Sequence, residues 1–103
     1  MSTSEAKVIT KRFAELLKSK KFPLAAVYLF GSYARGNFHK WSDIDIAVVS
    51  KSKKYSEKRA MSLMFLRHEV DARIEPHYFS ATEFKDDGSP LAYEVRRTGI
   101  KVA

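Results

Sequence analysis

The sequence predicts an α/β domain in which a small mixed β-sheet is backed by helices on one face. Two apolar runs, at residues 24–30 and 43–49, have the length and composition of buried strands. Patterns of helical spacing precede the first run and follow the second, so helices and strands alternate along the chain. We expect the other face of the sheet, which carries the acidic side chains, to stay open.

The first elements are placed by their terminal residues. Ser2 and Glu5 have the spacing of a capping box before apolar residues at helical spacing, so we expect a helix that ends near Lys20. Pro23 then interrupts the chain before the first strand. After the second strand and a polar connection, residues 55–67 have the apolar spacing of another helix.

The remaining elements follow from alternation and capping. Apolar and charged residues alternate over positions 69–77, which predicts a third strand. Ser80 and Glu83 form a second capping-box pattern at a short helical turn. We expect a helix at 91–97 and a small edge strand at 99–102 to complete the fold.

Composition limits the class of protein. The 103 residues, of which 45% are apolar, can bury one modest core, so we expect a single domain spanning residues 1–103. No apolar stretch approaches the length of a membrane span, and the N-terminus lacks the order of a signal peptide. These features predict a cytoplasmic protein that does not act at a membrane. The absence of Cys excludes disulfides and thiolate chemistry.

The net charge of +7 has two interpretations, because a basic surface attracts nucleic acid but also any other polyanion. Much of the charge is local, in lysines that close the first helix and in a basic segment at residues 51–59. No helix-turn-helix or RNA-binding motif accompanies it. Dedicated nucleic-acid binding is therefore not expected.

Gly31 and Ser32 end the first strand and form a candidate phosphate-binding turn. Glycine adopts backbone angles closed to other residues and lets a phosphate approach the main chain. If Ser32 caps a short helix, the unpaired N–H groups of its first turn would favour a triphosphate. The guanidinium of Arg35, in the same turn, has a fork of donors that suits a phosphate, although a surface arginine would have the same sequence context.

Asp43 and Asp45 open the second strand and form a candidate metal site. Residues two apart on a strand project from the same face, so both carboxylates would point one way while Ile44, Ile46 and Val48 pack the other. Magnesium is bound by few protein oxygens and completes its shell with water and substrate phosphates. Two such ions can activate an attacking hydroxyl and stabilise a leaving pyrophosphate.

Together, Gly31-Ser32, ten intervening residues and Asp43-Ile44-Asp45 resemble the DNA polymerase beta-like nucleotidyltransferase superfamily, and in particular its small minimal nucleotidyltransferase group. The resemblance implies the polymerase beta-like nucleotidyltransferase fold and a nucleoside triphosphate as substrate. It implies that Gly31 and Ser32 bind nucleotide phosphates and that Asp43 and Asp45 hold magnesium, with two ions expected.

The resemblance also implies a third carboxylate on a later strand. Asp71 is our choice for this catalytic and metal-binding role, because Val70-Asp71 matches the apolar-Asp pair that begins this strand in the family. Glu75 is the fallback ligand, and Glu69 would face the same way if the strand begins early. Pairing with Arg73 is the alternative explanation for Asp71.

Other residues with chemical potential have simpler explanations. The three histidines, His39, His68 and His77, lack the spacing of a zinc site and are expected to be structural or exposed. Trp41 could stack on a base, but we expect it to cover the sheet edge.

The resemblance extends to a partner. Minimal nucleotidyltransferases are commonly paired with a helical HEPN protein, a ribonuclease toxin that they neutralise by transferring AMP from ATP to one of its tyrosines. We therefore predict a protein adenylyltransferase that acts as an antitoxin. Alternatives are transfer to a small molecule such as an aminoglycoside, and a catalytically silent inhibitor that blocks a HEPN partner by occupancy. The open face also implies that a partner or a second copy completes the site, at an interface marked by an apolar surface patch.

Overall fold

Four β-strands and five α-helices form the computed structural model, which describes residues 1–103. A single turn of 3-10 helix, Arg67–Glu69, follows the third helix. In chain order the elements are α1 (Thr3–Ser19), β1 (Leu24–Phe30), α2 (Ser32–Arg35), β2 (Ile44–Ser50), α3 (Glu57–Leu66), β3 (Ile74–Phe79), α4 (Ala81–Lys85), α5 (Pro90–Thr98) and β4 (Ile100–Lys101).

The strands form one mixed sheet in the order β3-β2-β1-β4. β1 is antiparallel to both β2 and β4, whereas β2 and β3 are parallel and are connected through α3. A parallel pair needs such a crossover, because the chain must return to the same end of the sheet. The predicted α/β fold with a small mixed sheet is confirmed.

The first face of the sheet carries the main core. Ile44, Ile46 and Val48 alternate along β2 and are fully buried on this face, together with residues of α1 and Leu63 of α3. Alternation with a period of two is what places them together. The packing of α1 and α3 on this face agrees with the predicted layer of helices.

The second face is not fully open as predicted. Phe30, Ala47 and Phe79 lie on it and are buried together with Ala92 and Val95 of α5. These residues also alternate along their strands, and their apolar surface needs a cover that α4 and α5 supply. Polar side chains lie at one end of this face. There the last residue of β1, Phe30, pairs with Asp45 near the start of β2.

Helix caps agree with the sequence. The side chain of Ser2 accepts a hydrogen bond from the Glu5 N–H while Glu5 accepts one from the Ser2 N–H, and Ser80 and Glu83 repeat the arrangement at α4. Both predicted capping boxes are therefore confirmed. No helix in the fold combines the length and the apolar character needed to cross a membrane.

The third strand differs from its prediction, since β3 begins at Ile74 and not near residue 69. The carboxylate of Asp71 accepts a hydrogen bond from the Arg73 backbone N–H at 2.8 Å, and this local bond closes a turn before the strand. At its other end β3 continues through Pro76 to Phe79. Pro76 is tolerated because β3 is an edge strand, so the missing N–H breaks no ladder.

Candidate active site

The turn after β1 depends on Gly31, which has φ 73° and ψ −152°. This combination is essentially restricted to glycine. A Cβ atom built on Gly31 would overlap the carboxylate of Asp45, so the turn lies directly against that acid. The candidate phosphate-binding turn and the candidate metal site are thus in contact.

Ser32 does not cap the helix as predicted. Gly31 occupies the N-cap position, and Ser32 is the first residue of α2. As a result the Ser32 hydroxyl, which is half-buried, makes no hydrogen bond within the chain, and α2 begins without a side-chain cap. The first-turn N–H groups of a helix have no intrahelical acceptor. The first-turn N–H groups of α2 are therefore available to donate hydrogen bonds to a bound ligand.

Three carboxylates converge beside this turn. Asp45 and Glu75 are directly paired across the parallel strands β2 and β3, and Asp43 lies one residue before β2. The pKa of Glu75 is raised, first by burial and then by the negative charge of Asp45. His77 lowers this pKa in part, and the negative charge of Asp43 raises it further. Neighbouring carboxylates repel one another when ionised, and a cation bound among them would relieve this repulsion.

His77 joins the same group. Its Nε2 lies 3.3 Å from Oδ1 of Asp45 and 3.8 Å from Oε1 of Glu75. One donor atom from each of these three residues lies within 4.8 Å of the others. The sequence predicts a structural or exposed histidine here, and the structure places His77 beside two acids. Its position two residues after Glu75 on a strand was the signal that could have placed it on the acidic face.

Asp71, the predicted third carboxylate, is not brought to this group. It lies in the turn before β3, where its two oxygens accept hydrogen bonds of 3.0 and 2.6 Å from the Arg73 guanidinium. That side-chain hydrogen bond is the main reason why the pKa of Asp71 is lowered. The fallback residue Glu75 occupies the predicted place instead, whereas Glu69 is exposed on the 3-10 turn.

Arg35 and Trp41 flank the site. The guanidinium of Arg35 lies 3.7 Å from Oε1 of Glu94 on α5, and both side chains are more than 40% exposed, so the pair is weak and can open. Trp41 is 79% exposed, which shows that the prediction of an aromatic covering the sheet edge is wrong. It lies two residues before Asp43, with Nζ of Lys40 5.1 Å from its ring centre.

The donor set suits a divalent cation. Carboxylate oxygens are preferred by magnesium, and an imidazole nitrogen is accepted by first-row transition metals. The two cavities of the fold, of about 450 and 480 Å³, both lie along α3 and contain none of these side chains. The acidic site is partly open to solvent, since the exposed fractions of its side chains are 25% for Asp45, 26% for His77 and 49% for Glu75.

A glycine turn in contact with strand-borne carboxylates defines a class of proteins that handle phosphates with the help of metal ions. A family model described as a nucleotidyltransferase domain matches residues 10–97 of the chain. The chain belongs to this nucleotidyltransferase family, as the resemblance in its sequence implied.

Solved structures support the same fold. One chain of a toxin–antitoxin complex with AMP-PNP is 25% identical, with a TM-score of 0.67 over 90% of this chain and 72% of that one. A chain of a variant MntA–HpeT toxin–antitoxin complex is 26% identical, with a TM-score of 0.65 over 89% and 69%. A candidate nucleotidyltransferase from Sulfolobus solfataricus is 30% identical, with a TM-score of 0.52 over 81% and 78%. A search of curated proteins gives no match.

Proposed function

We propose that residues 1–103 form a single magnesium-dependent nucleotidyltransferase domain that moves AMP from ATP to a tyrosine of a HEPN ribonuclease toxin, and so acts as a cytoplasmic antitoxin. The observation that carries the proposal is the contact of the Gly31 turn with Asp45, beside Asp43 and Glu75. Family membership and the structural likeness to toxin–antitoxin complexes, one of them with AMP-PNP, support it.

Asp43, Asp45 and Glu75 would hold the metal ions. Glu75 replaces Asp71 in this role, because Asp71 is bound to Arg73 and lies outside β3. Two magnesium ions, when bound, would neutralise triphosphate charge and help to activate the attacking hydroxyl. The donor chemistry fits, since these residues offer carboxylate oxygens next to a turn that can hold phosphates.

The chain's own groups would position ATP. The first-turn N–H groups of α2 and the Ser32 hydroxyl bind phosphate oxygens, and Arg35 adds its charge once it separates from Glu94. The tyrosyl oxygen attacks the α-phosphorus in line while the bond to pyrophosphate breaks. Its proton would pass to the carboxylate group, in which Glu75 takes the role that the sequence predicts for Asp71.

The solvent exposure of the site supports the proposal that a partner completes it. No cavity of this chain encloses the carboxylates, so water is excluded only when another surface covers them. A protein acceptor would provide both the nucleophile and the cover. This favours a macromolecular acceptor over a small molecule, which would require a pocket of its own.

The test is a labelling experiment with the purified protein, magnesium and ATP, CTP, GTP or UTP labelled at the α-phosphate. It is run with and without the candidate HEPN partner, the protein encoded by the gene next to that of this chain. Label should appear on the partner from ATP. Asp45→Asn and Glu75→Gln should lower labelling by about a hundredfold or more, since each removes a carboxylate that stabilises the transition state through the metal. Asp71→Asn is the matched control and should keep its activity.

Two outcomes would contradict the proposal. Tight binding of the partner without any label, unchanged in the Asp45→Asn variant, would indicate an inhibitor that acts by occupancy. Label on an added aminoglycoside, with none on the partner, would indicate a small-molecule acceptor.

A further inference from the structure

We propose that His77 is a direct ligand of the metal site and that its nitrogen makes the free protein prefer Mn²⁺ to Mg²⁺. The inference deepens the proposed function and rests on it, because it concerns the same carboxylates. Three contacts of His77 with its neighbours carry it.

The separations between donor atoms are those of ligands on a common ion. Two donors each about 2.1 Å from one metal, at angles between tetrahedral and octahedral, are roughly 3.0–3.5 Å apart. Nε2 of His77 lies 3.3 Å from Oδ1 of Asp45 and 3.8 Å from Oε1 of Glu75. A small shift of the half-exposed Glu75 side chain would complete the set.

The imidazole is held in place before any ion arrives. The edge-to-face contact between His77 and Phe30, with ring centres 5.1 Å apart, fixes one side of the ring. Ala47, its neighbour on β2, is fully buried and carries only a methyl group, so it offers no polar atom that competes for the ring nitrogens. A preorganised donor loses little freedom on binding a metal, and this favours coordination.

Nε2 is the nitrogen that faces the carboxylates, and Nδ1 has no hydrogen-bond partner within the chain. A neutral ring that carries its proton on Nδ1 therefore keeps the Nε2 lone pair for a metal. In the simpler alternative, Nε2 carries the proton and donates a hydrogen bond to Asp45. His77 would then position a ligand without being one.

The two roles differ in metal preference. Magnesium binds oxygen donors and gains little from imidazole, whereas Mn²⁺ accepts both oxygen and nitrogen. A coordinating His77 should therefore strengthen Mn²⁺ binding selectively. A hydrogen-bonding His77 would support Asp45 equally for both ions.

The experiment measures binding of MnCl₂ and of MgCl₂ to the folded protein without nucleotide, by calorimetry and by electron paramagnetic resonance of Mn²⁺. We expect His77→Asn to weaken Mn²⁺ binding about tenfold or more, and Mg²⁺ binding by less than about twofold. His77→Gln serves as a second variant. His68→Asn, at an exposed position of the 3-10 turn, is the matched control and should change neither affinity.

Electron spin-echo modulation of wild-type protein with Mn²⁺ gives a readout that depends on no variant. Coupling to a directly bound ¹⁴N nucleus is expected, and it should vanish in His77→Asn while persisting in His68→Asn.

Absence of the ¹⁴N coupling in wild-type protein, or equal weakening of both ions in His77→Asn, would overturn the inference and leave the proposed function intact. Failure of wild-type protein to bind either ion would overturn the inference and the proposed metal site together. Asp45→Asn is a reference for the loss of a shared carboxylate ligand, because it should weaken binding of both ions, in contrast to the selective effect expected for His77→Asn.

Discussion

Asp71 and Glu75 are four residues apart and have opposite environments. The pKa of Asp71 is lowered chiefly by the side-chain hydrogen bond from Arg73, whereas burial and then the charge of Asp45 raise the pKa of Glu75. Asp71 is thus already neutralised by a partner within its own turn. Glu75 has only other acids and His77 beside it, and it gains most from a cation.

At the residue scale, the Asp71 ion pair predicts a specific pH dependence. A lowered pKa stabilises the fold above the ordinary value of 3.8, and this stabilisation is lost as the pH falls through the lowered value. Asp71→Asn should therefore unfold more easily at pH 7, by no more than about 1 kcal/mol because solvent screens the half-exposed Arg73. Urea denaturation at several pH values measures this, and a difference that persists in strong acid would disprove it.

Glu75→Gln should separate stability from activity. A raised pKa means that the ionised Glu75 destabilises the fold, an effect that is absent below the ordinary value of 4.5 and appears as the pH rises through the raised value. Without metal at pH 7.5, the variant should therefore melt at a higher temperature than wild type, although its nucleotide transfer should be strongly reduced. Thermal melts with and without MgCl₂ check this. A lower melting temperature for the variant would contradict it.

The sequence could predict Gly31, Asp43 and Asp45 because each belongs to a strand end whose apolar run is unambiguous. Asp71 could not be rejected in the same way. Its alternation with neighbouring residues continues the pattern of a strand, and the hydrogen bonds to Arg73 that end the pattern are invisible without coordinates. Glu75 is hard to identify from the sequence because the following Pro76 is typical of a strand end, whereas an edge strand accepts proline.

At the scale of elements, α2 joins the phosphate-binding turn to the rest of the site. This helix has only four residues and is bounded by two glycines with positive φ, Gly31 at 73° and Gly36 at 79°. The two positions differ in their surroundings. A Cβ at Gly36 would meet nothing within 4 Å, whereas one at Gly31 would overlap Asp45.

These two glycines make a matched pair of substitutions. Gly36→Ala should cost about 1 kcal/mol, the usual penalty of a left-handed residue, and leave transfer unchanged. Gly31→Ala should cost roughly 2 kcal/mol or more and abolish transfer, because the backbone region is closed to alanine and Asp45 must move. Denaturation and α-phosphate labelling measure both effects. Equal activity of the two variants would show that the Gly31 turn does not contribute to the site.

Element types were largely predictable, but their placement on the sheet was not. Alternation within β1 and β2 specifies two faces, and the caps specify where α1 and α4 begin. Nothing local indicates that α5 packs on the acidic face. That contact depends on Ala92 and Val95 meeting Phe30 and Phe79, which are distant in sequence.

At the scale of the whole molecule, exposed apolar side chains lie on α1, α3 and α5 and in the loops. Met61, Met64 and Phe65 are exposed on α3, which packs on the face opposite to the carboxylates. Trp41 is exposed next to Asp43. Because α3 packs on the face opposite to the carboxylates, we expect a partner that completes the site to contact the region of Trp41 and α5 and not the exposed side chains of α3.

This arrangement predicts different effects of two aromatic substitutions. Trp41→Ala should lower labelling of a protein acceptor about tenfold, since exposed tryptophans are frequent anchors of interfaces, and should leave Mn²⁺ affinity unchanged. Phe65→Ala should leave both rates and affinities unchanged, because it removes an exposed side chain on the other face. Initial rates against partner concentration measure this. A defect in Phe65→Ala of equal size would place the acceptor on α3.

The crossover between β2 and β3 has a consequence for biosynthesis. Asp45 and His77 are 32 positions apart, and they meet only after α3 has carried the chain back to the sheet. Contacts of such separation form late, because loop closure must precede them. During translation, a nascent chain can pair β1 with β2 and expose the Gly31 turn, yet it lacks Glu75 and His77, which the proposed cation site requires. Unfinished or prematurely terminated copies should therefore leave cellular nucleotides untouched. Under the proposal, nucleotide transfer would become possible only after β3 has paired with β2.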